Sequence, residues 1–278
     1  GGYLPAIMQS RKSLEGLGTR LLPKTALVLI ASDRGLAGSF NANVFRKFER
    51  WMDKNNIGNP SAGSSTGSEQ AQGLSDRYIF ISVGKKSEEF LNRKGILPSA
   101  TFKGFGDYAT PEEVRPLTQG LVEGFLKGGW DAATIISTHF RTTLRQEVMV
   151  REVLPIDGEK LLETITEIVP EYGRYAQNDA NLQIANKKKE RDFEYLIEPD
   201  PKSVMDALAP ELVEIVLYDF LLEANASEHS ARMVAMKNAS ENAGELKDTL
   251  TLEYNKARQA GITREISEIV GGAEALQG

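Results

Sequence analysis

The sequence contains no cysteine and only two histidines, His139 and His229. The absence of cysteine excludes disulfides, cysteine-ligated zinc and a thiol nucleophile. Neither histidine has a nucleophile or a set of metal ligands near it in the sequence, so each is more typical of a structural residue than of a catalytic one. We therefore predict no catalytic residue, no metal site and no cofactor.

Long apolar runs and an excess of basic residues are also missing. No stretch approaches the ~18–20 apolar residues of a transmembrane helix, and the N-terminus does not have the pattern of a signal peptide. The formal net charge of −6 argues against nucleic-acid binding, which needs a basic surface. With 278 residues, 41% of them hydrophobic, we expect a globular protein of one or two domains whose association with membranes is indirect.

Residues 226–276, close to the end of the chain, contain no proline and are dominated by helix-forming residues. A continuous helix of this length would measure about 75 Å, which is longer than a domain of this size is wide. We therefore expect that much of the helix leaves its own domain and is covered by another element.

Apolar residues recur along this stretch with heptad spacing, which is typical of a helix that coils around another helix. The first track contains Ala239, Ala243, Leu246, Leu250 and Ala257, and the second contains Ile262, Ile266, Ile269, Ala273 and Leu276. The two tracks are out of phase, and the apolar stripe changes face across 258–262. An ordinary long surface helix remains the alternative interpretation.

The rest of the chain alternates between apolar runs and amphipathic segments, which predicts an α/β sheet. We expect strands at 24–31, 77–83, 100–102, 131–140 and 146–154, and helices at 41–54, 85–93 and 110–127. The last two of these strands are close enough in sequence to form an antiparallel hairpin at the end of a mainly parallel sheet. Inserts at 57–76 and 156–192 interrupt the pattern, the second with a possible helix at 161–169. A short strand at 193–197 and a helix at 204–222 then lead into the terminal helix.

A glycine-containing turn, Ser-Asp-Arg-Gly-Leu-Ala-Gly-Ser at 32–39, joins the first strand to the first helix. It matches neither of the glycine-rich phosphate-binding motifs. The pattern favours a plain turn, with Ser39 or Asn41 as the helix cap, over a nucleotide site.

Three blocks of the sequence resemble the gamma subunit of F-type ATP synthase. Residues 262–275 (ITREISEIVGGAEA) fit the signature I/V-T-x-E-x-x-D/E-x-x-x-G-A of that family at every constrained position. Residues 32–43 are similar to the turn after the family's first strand, and residues 227–239 are similar to the start of its C-terminal helix.

The resemblance implies a rotor shaft that does no chemistry itself. Its fold would be a Rossmann-like α/β foot domain plus a long C-terminal helix in an antiparallel coiled coil, inside a ring of three alpha and three beta subunits. The foot would sit on the membrane c-ring with the epsilon subunit, on the cytoplasmic side of a bacterial plasma membrane. Rotation of the shaft would change the nucleotide affinity of each beta site in turn.

The resemblance also implies roles for particular residues and a division of the chain. Contacts with the catch loops of the alpha and beta subunits would be made by Arg258, Gln259, Thr263 and Glu265. Residues near the foot would be Ser227, Glu228 and His229. Residues 1–20 would be a remnant of the N-terminal helix, 21–203 the foot domain, and 204–278 the C-terminal helices.

Two features depart from the family pattern. The family's N-terminal helix, with its K-I-T-x-A-M-x-M-V motif, is expected to be largely absent before the first strand, so the heptad seam would lack its partner in this sequence. The thiol pair of the light-regulated chloroplast relatives is also missing. Two alternatives stay open, a coiled-coil adaptor with an α/β head and a nucleotide-binding α/β protein that dimerises through its long helix.

Overall fold

A computed structural model describes residues 23–55, 57, 77–105, 109–156 and 198–277. In chain order the elements are β1 (Thr25–Ile30), α1 (Phe40–Lys54), β2 (Tyr78–Val83), α2 (Lys85–Arg93), β3 (Ala100–Phe102), α3 (Pro111–Leu126), β4 (Ala132–Thr142), β5 (Arg145–Leu154) and α4 (Pro201–Gln277). Each of these strands and helices was predicted, within a few residues. The expected segments at 1–20, 161–169 and 193–197, and nearly all of both inserts, lie outside the described residues.

The five strands form one sheet in the order β3-β2-β1-β4-β5. Strands β1 to β4 pair in parallel, and β5 pairs with β4 in the antiparallel direction. This confirms the predicted Rossmann-like α/β sheet with an antiparallel hairpin at one end. The central strand β1 is an uninterrupted apolar run because helices cover the sheet on both faces.

Alternate residues of β1 belong to two separate apolar clusters. Ala26, Val28 and Ile30 pack with residues of α3 and α4. Leu27 and Leu29 face the other way and pack with residues of α1 and α2. Because side chains alternate between the faces of a strand, one short strand links the two layers of helices.

The helix α4 is continuous over 77 residues, which corresponds to a length of about 115 Å. It starts at Pro201, where Asp200 accepts hydrogen bonds from the backbone and hydroxyl groups of Ser203. This continuity agrees with the prediction that the apolar helix leads directly into the terminal one.

The two halves of α4 have different surroundings. In the first half, residues at helical spacing are buried against the sheet and α3, namely Ala209, Val213, Leu217, Phe220, Leu221, Ala224 and Ser227. From Met236 to Ala273 every side chain is exposed to solvent among the described residues. The helix therefore has a root that belongs to the α/β core and a projecting part that lies outside it.

Gly84 lies at the point where β2 meets α2, and it permits a close approach of two backbones. Its φ is +89°, and a Cβ atom added there would lie 2.0 Å from the carbonyl oxygen of Ala31. Its N–H donates a hydrogen bond of 2.8 Å to the carbonyl of Phe102. Any side chain at this position must therefore displace the backbone of the neighbouring strand.

We expect Gly84→Ala to lower the free energy of unfolding by about 2–4 kcal/mol, since the left-handed backbone and the clash both oppose the new methyl group. Urea unfolding followed by circular dichroism measures this loss. Gly95→Ala is the matched control, because Gly95 also has a positive φ but has open space around its Cβ position. Equal losses in the two variants would contradict the steric argument.

Candidate functional site

The turn after β1 ties together the carboxyl ends of three parallel strands. Asp33 Oδ1 accepts a hydrogen bond from the N–H of Lys85 at 2.8 Å, and its Oδ2 accepts one from the N–H of Gly104 at 2.9 Å. Asn41 Oδ1 accepts hydrogen bonds from the N–H and the hydroxyl of Ser32 at 3.1 and 3.0 Å. The prediction of a structural turn agrees with this geometry. Ser39 is the N-cap residue of α1, one of the two predicted, although its side chain makes no capping hydrogen bond. Asn41, the other predicted cap, bonds the turn instead.

The amino end of α2 beside this turn is where a phosphate would bind if the protein held a nucleotide. Its N–H groups are already bonded within the protein, since Lys86 donates to the carbonyl of Ser32 and Lys85 donates to Asp33. The Asp33 carboxylate would also repel a phosphate placed there. The geometry therefore does not fit the phosphate site that the nucleotide-binding alternative requires.

Two of the sequence blocks that carry the family resemblance meet at this edge of the sheet. A cleft of about 370 Å³ is lined by the turn after β1, the β2–α2 junction and α4, including Asp33, Lys85, Glu228 and His229. Ser227, the third residue predicted near the foot, is fully buried. Glu228 is partly buried and pairs with Arg232 one turn later in the helix. The structure thus places the three predicted foot residues on the root of α4, beside the turn.

A cluster of ionisable side chains, largely buried, joins the β4–β5 hairpin to α4. Nδ1 of His139 on β4 lies 2.5 Å from Oε1 of Glu223 on α4. Nη1 of Arg151 on β5 donates to Oε2 of the same carboxylate at 3.3 Å. The Arg151 guanidinium also lies over the ring of Phe220, 4.6 Å from its centroid. One carboxylate of the long helix is therefore bonded to both strands of the hairpin.

Asp219 lies one helical turn before Glu223 and extends the cluster. Burial, and then the negative charge of Glu223, raises the pKa of Asp219 to about 6, while the positive charge of Arg151 opposes the shift. Oδ2 of Asp219 is buried and has no hydrogen-bond donor in the described part of the structure. The ionised form of Asp219 is therefore unfavourable in the folded protein.

Sequence reasoning identified only one member of this cluster, His139, as structural, and this agrees with its burial and its bond to Glu223. It did not single out Glu223, Arg151 or Asp219. The sequence pattern that could have indicated these three residues was weak. Asp219 and Glu223 stand four residues apart on the helix, among positions that bury Phe220 and Leu221.

The residues predicted to contact neighbouring subunits lie on the projecting part of α4. Arg258, Gln259, Thr263 and Glu265 are all exposed, and the helix runs unbroken through 258–262, where the apolar stripe changes face. Arg258 lies 35 residues beyond Glu223, which is about 50 Å along the helix axis. The structure therefore separates the predicted contact residues widely from the buried cluster.

The apolar residues of the heptad tracks are also exposed. Leu246, Leu250, Ile262, Ile266 and Ile269 expose between 46% and 71% of their surface, and Ala239 and Ala243 are exposed as well. Covering them requires something beyond the described part of the chain. None of the helices in that part is long and apolar enough to cross a membrane.

Comparisons with known proteins give a consistent result over nearly the whole chain. A family model described as ATP synthase matches residues 5–276. The chain is 37% identical to the ATP synthase gamma chain of Symbiobacterium thermophilum over 256 residues, covering 92% of this chain and 74% of that protein. It is 36% identical to the ATP synthase gamma chain of Nostoc punctiforme over 275 residues, covering 97% of this chain and 82% of that protein.

Solved structures share the fold at lower sequence identity. A chain of the Euglena gracilis mitochondrial ATP synthase, OSCP/F1/c-ring in rotational state 3, aligns with a TM-score of 0.57 and 18% identity, covering 96% of this chain and 76% of that one. A chain from the rotor of the same synthase in rotational state 1 aligns with a TM-score of 0.53 and 17% identity, covering 91% and 82%.

The raised pKa of Asp219 gives stability a definite dependence on pH. The unfolded chain releases this proton near 3.8 and the folded chain near 6, so the free energy of unfolding falls as the pH rises through that window. We expect Asp219→Asn, which cannot ionise, to remove this loss and to be more stable than the parent above pH 6 by about 1 kcal/mol, after allowance for solvent screening.

Thermal unfolding from pH 4 to 8 measures the difference. Glu253→Gln on the exposed part of the same helix is the control and should leave the pH profile unchanged. Parallel profiles for the parent and Asp219→Asn would show that Asp219 is not strained when it is ionised.

Proposed function

This chain belongs to the gamma chain family of ATP synthase, and we propose that its α/β domain and long helix are the foot and the shaft through which c-ring rotation changes the beta-subunit catalytic sites. As a gamma chain it works with the alpha and beta subunits and with the c-ring. Its own role in the complex is mechanical, and ATP synthesis or hydrolysis takes place on the beta subunits.

The observation that carries this proposal is the division of α4 into a buried root and an exposed part of nearly forty residues. A single helix in water is poorly stabilised without packing, and seven leucine, isoleucine and valine side chains stand exposed along this one. A rigid element that leaves its domain with an apolar stripe is suited to insertion into a surrounding assembly. A domain that completed its function alone would not need this projection.

We infer distinct roles for the two stretches of the projecting part. The track through Leu246 and Leu250 pairs with another helix of the shaft, in the antiparallel sense implied by the family. At and beyond the change of face, Arg258, Gln259, Thr263 and Glu265 contact the loops of the alpha and beta ring.

The domain end of the molecule faces the membrane ring. The root of α4 and the α/β domain contact the c-ring and the epsilon subunit, so the chain is bound to the membrane peripherally. We place it on the cytoplasmic side of a bacterial plasma membrane. The nucleotide-binding alternative is disfavoured because the N–H groups beside the glycine turn are already occupied.

The proposed tip contacts can be tested without disturbing the fold. We expect Glu265→Gln in the assembled complex to lower the rate of ATP hydrolysis about tenfold, equivalent to ~1.4 kcal/mol in activation free energy. The melting temperature of the chain should not change, since Glu265 is exposed.

Lys256→Ala, another exposed position about two and a half turns nearer the root, is the matched control. Normal hydrolysis by complexes containing the Glu265 variant would remove this residue from the contact set. A failure of the parent chain to support hydrolysis with alpha and beta subunits would overturn the proposed function itself.

The proposed helix pairing can be tested by placing charge on the seam. We expect the double variant Leu246→Asp/Leu250→Asp to prevent assembly with alpha and beta subunits, because burying two carboxylates in an apolar seam is unfavourable. Size-exclusion chromatography of the mixed subunits measures assembly. Thr249→Asp/Thr251→Asp also adds two acidic side chains, at exposed positions on either side of Leu250 that are not seam residues, and should still assemble. Assembly of the seam variant at the parent level would contradict the pairing.

A further inference from the structure

The apolar contacts of α4 repeat along the helix and do not by themselves define one position on the sheet. Ala209, Val213, Leu217 and Leu221 follow one another at intervals of four residues and are all buried against the same face. A displacement of the helix by one turn would place another apolar side chain at three or all four of these sites, depending on its direction. Because hydrophobic burial is not directional, such a displaced packing retains much of the favourable free energy.

Glu223 lies beside this apolar repeat and makes one position of the helix different from its neighbours. Its two oxygens are engaged by different strands, Oε1 by His139 on β4 and Oε2 by Arg151 on β5. Both partners are nearly inaccessible, with His139 4% and Arg151 9% exposed. The carboxylate must therefore reach a fixed point on the hairpin.

The residues one turn away cannot replace Glu223. A displacement in one direction would bring Ser227 to this point, and Ser227 carries no charge. A displacement in the other direction would bring Asp219, whose side chain is shorter by one methylene group. In both cases the buried guanidinium of Arg151 would lose its carboxylate, and an uncompensated buried charge is strongly unfavourable.

We propose that Glu223 is a positioning residue, which fixes the register and rotational position of α4 on the α/β domain so that rotation of the domain is passed to the helix. The inference rests on the proposed function as a rotor shaft. A torque applied at the foot acts tangentially on the root of α4, where directional hydrogen bonds between charged groups resist rotation better than apolar contacts.

A second ionic contact between the root of α4 and the α/β domain is weaker. Arg115 on α3 lies 3.5 Å from Glu214 on α4, and the Arg115 side chain is 54% exposed. An exposed pair of this kind contributes little. The hairpin cluster is therefore the better candidate for transmitting torque, and the Glu214 pair supplies a matched control on the same helix.

The register can be measured directly, because a chain without cysteine accepts site-specific spin labels at introduced cysteines. Labels at Leu144→Cys in the hairpin turn and Ile215→Cys on α4 occupy exposed positions on the two elements that Glu223 joins. Pulsed electron resonance on the assembled complex should give one narrow distance for the parent sequence. For Glu223→Gln we expect a second distance, shifted by up to about 5.4 Å, in at least about a tenth of the molecules.

A second variant separates positioning from simple stability. The triple change His139→Leu, Arg151→Met and Glu223→Leu replaces the three mutually bonded side chains of the cluster with apolar groups of similar size, and such replacements often preserve or raise stability. We expect this variant to fold and assemble, and still to show the second distance. Glu214→Gln should keep the single parent distance.

The functional readout is the number of protons pumped for each ATP hydrolysed by complexes in membrane vesicles. We expect both cluster variants to hydrolyse ATP at near the parent rate while this ratio falls in proportion to the displaced fraction. The positioning role would be overturned by a folded triple variant that shows one register and the parent ratio of protons to ATP. If the triple variant does not fold, the same result for Glu223→Gln would overturn it. A parent chain that supports no coupled pumping would instead count against the proposed function, so the two failures are distinguishable.

Discussion

Packing of the first half of α4 against the sheet is the contact on which the rest of the molecule depends. Val213, Leu217 and Phe220 complete the apolar cluster to which β1 and α3 contribute their inner faces. Without them the part of that face that α3 does not cover would be exposed to water. The same contact holds the base of the projecting helix, so the packing of the domain core also determines the orientation of the shaft.

The aliphatic side chains and the Glu223 carboxylate contribute to this contact in different ways. Aliphatic side chains supply most of the favourable free energy, since the free energy of burial depends on the apolar area removed from water and not on direction. The Glu223 carboxylate contributes little net stability after its desolvation, but it distinguishes one arrangement of the helix from its neighbours. The root of α4 thus combines a strong but unspecific interaction with a weak but specific one.

Sequence reasoning found the elements because each leaves a local pattern. The apolar run of β1 and the short turn between β4 and β5 both predict structure from residues close together in the chain. The Glu223 cluster leaves no such pattern, because Arg151 is 72 residues away and an acidic residue on a helix usually faces solvent. The contacts of Asp33 with Lys85 and Gly104 were missed for the same reason. Heptad spacing indicated that the end of α4 needs a partner, but exposure alone does not identify that partner.

The continuity of α4 across its two halves also has a consequence for how the projecting part forms. Starting a helix is unfavourable because several residues must be fixed for the first hydrogen bond, whereas each later residue adds its bond at much lower entropic cost. The sheet holds the root in helical form, so the exposed residues need only to extend an existing helix. Gly244 and Gly261 each weaken that extension by about 1 kcal/mol relative to alanine. The α/β domain therefore serves as the nucleus of the shaft, and helical order in the exposed part weakens with distance from that nucleus until a neighbouring subunit covers it.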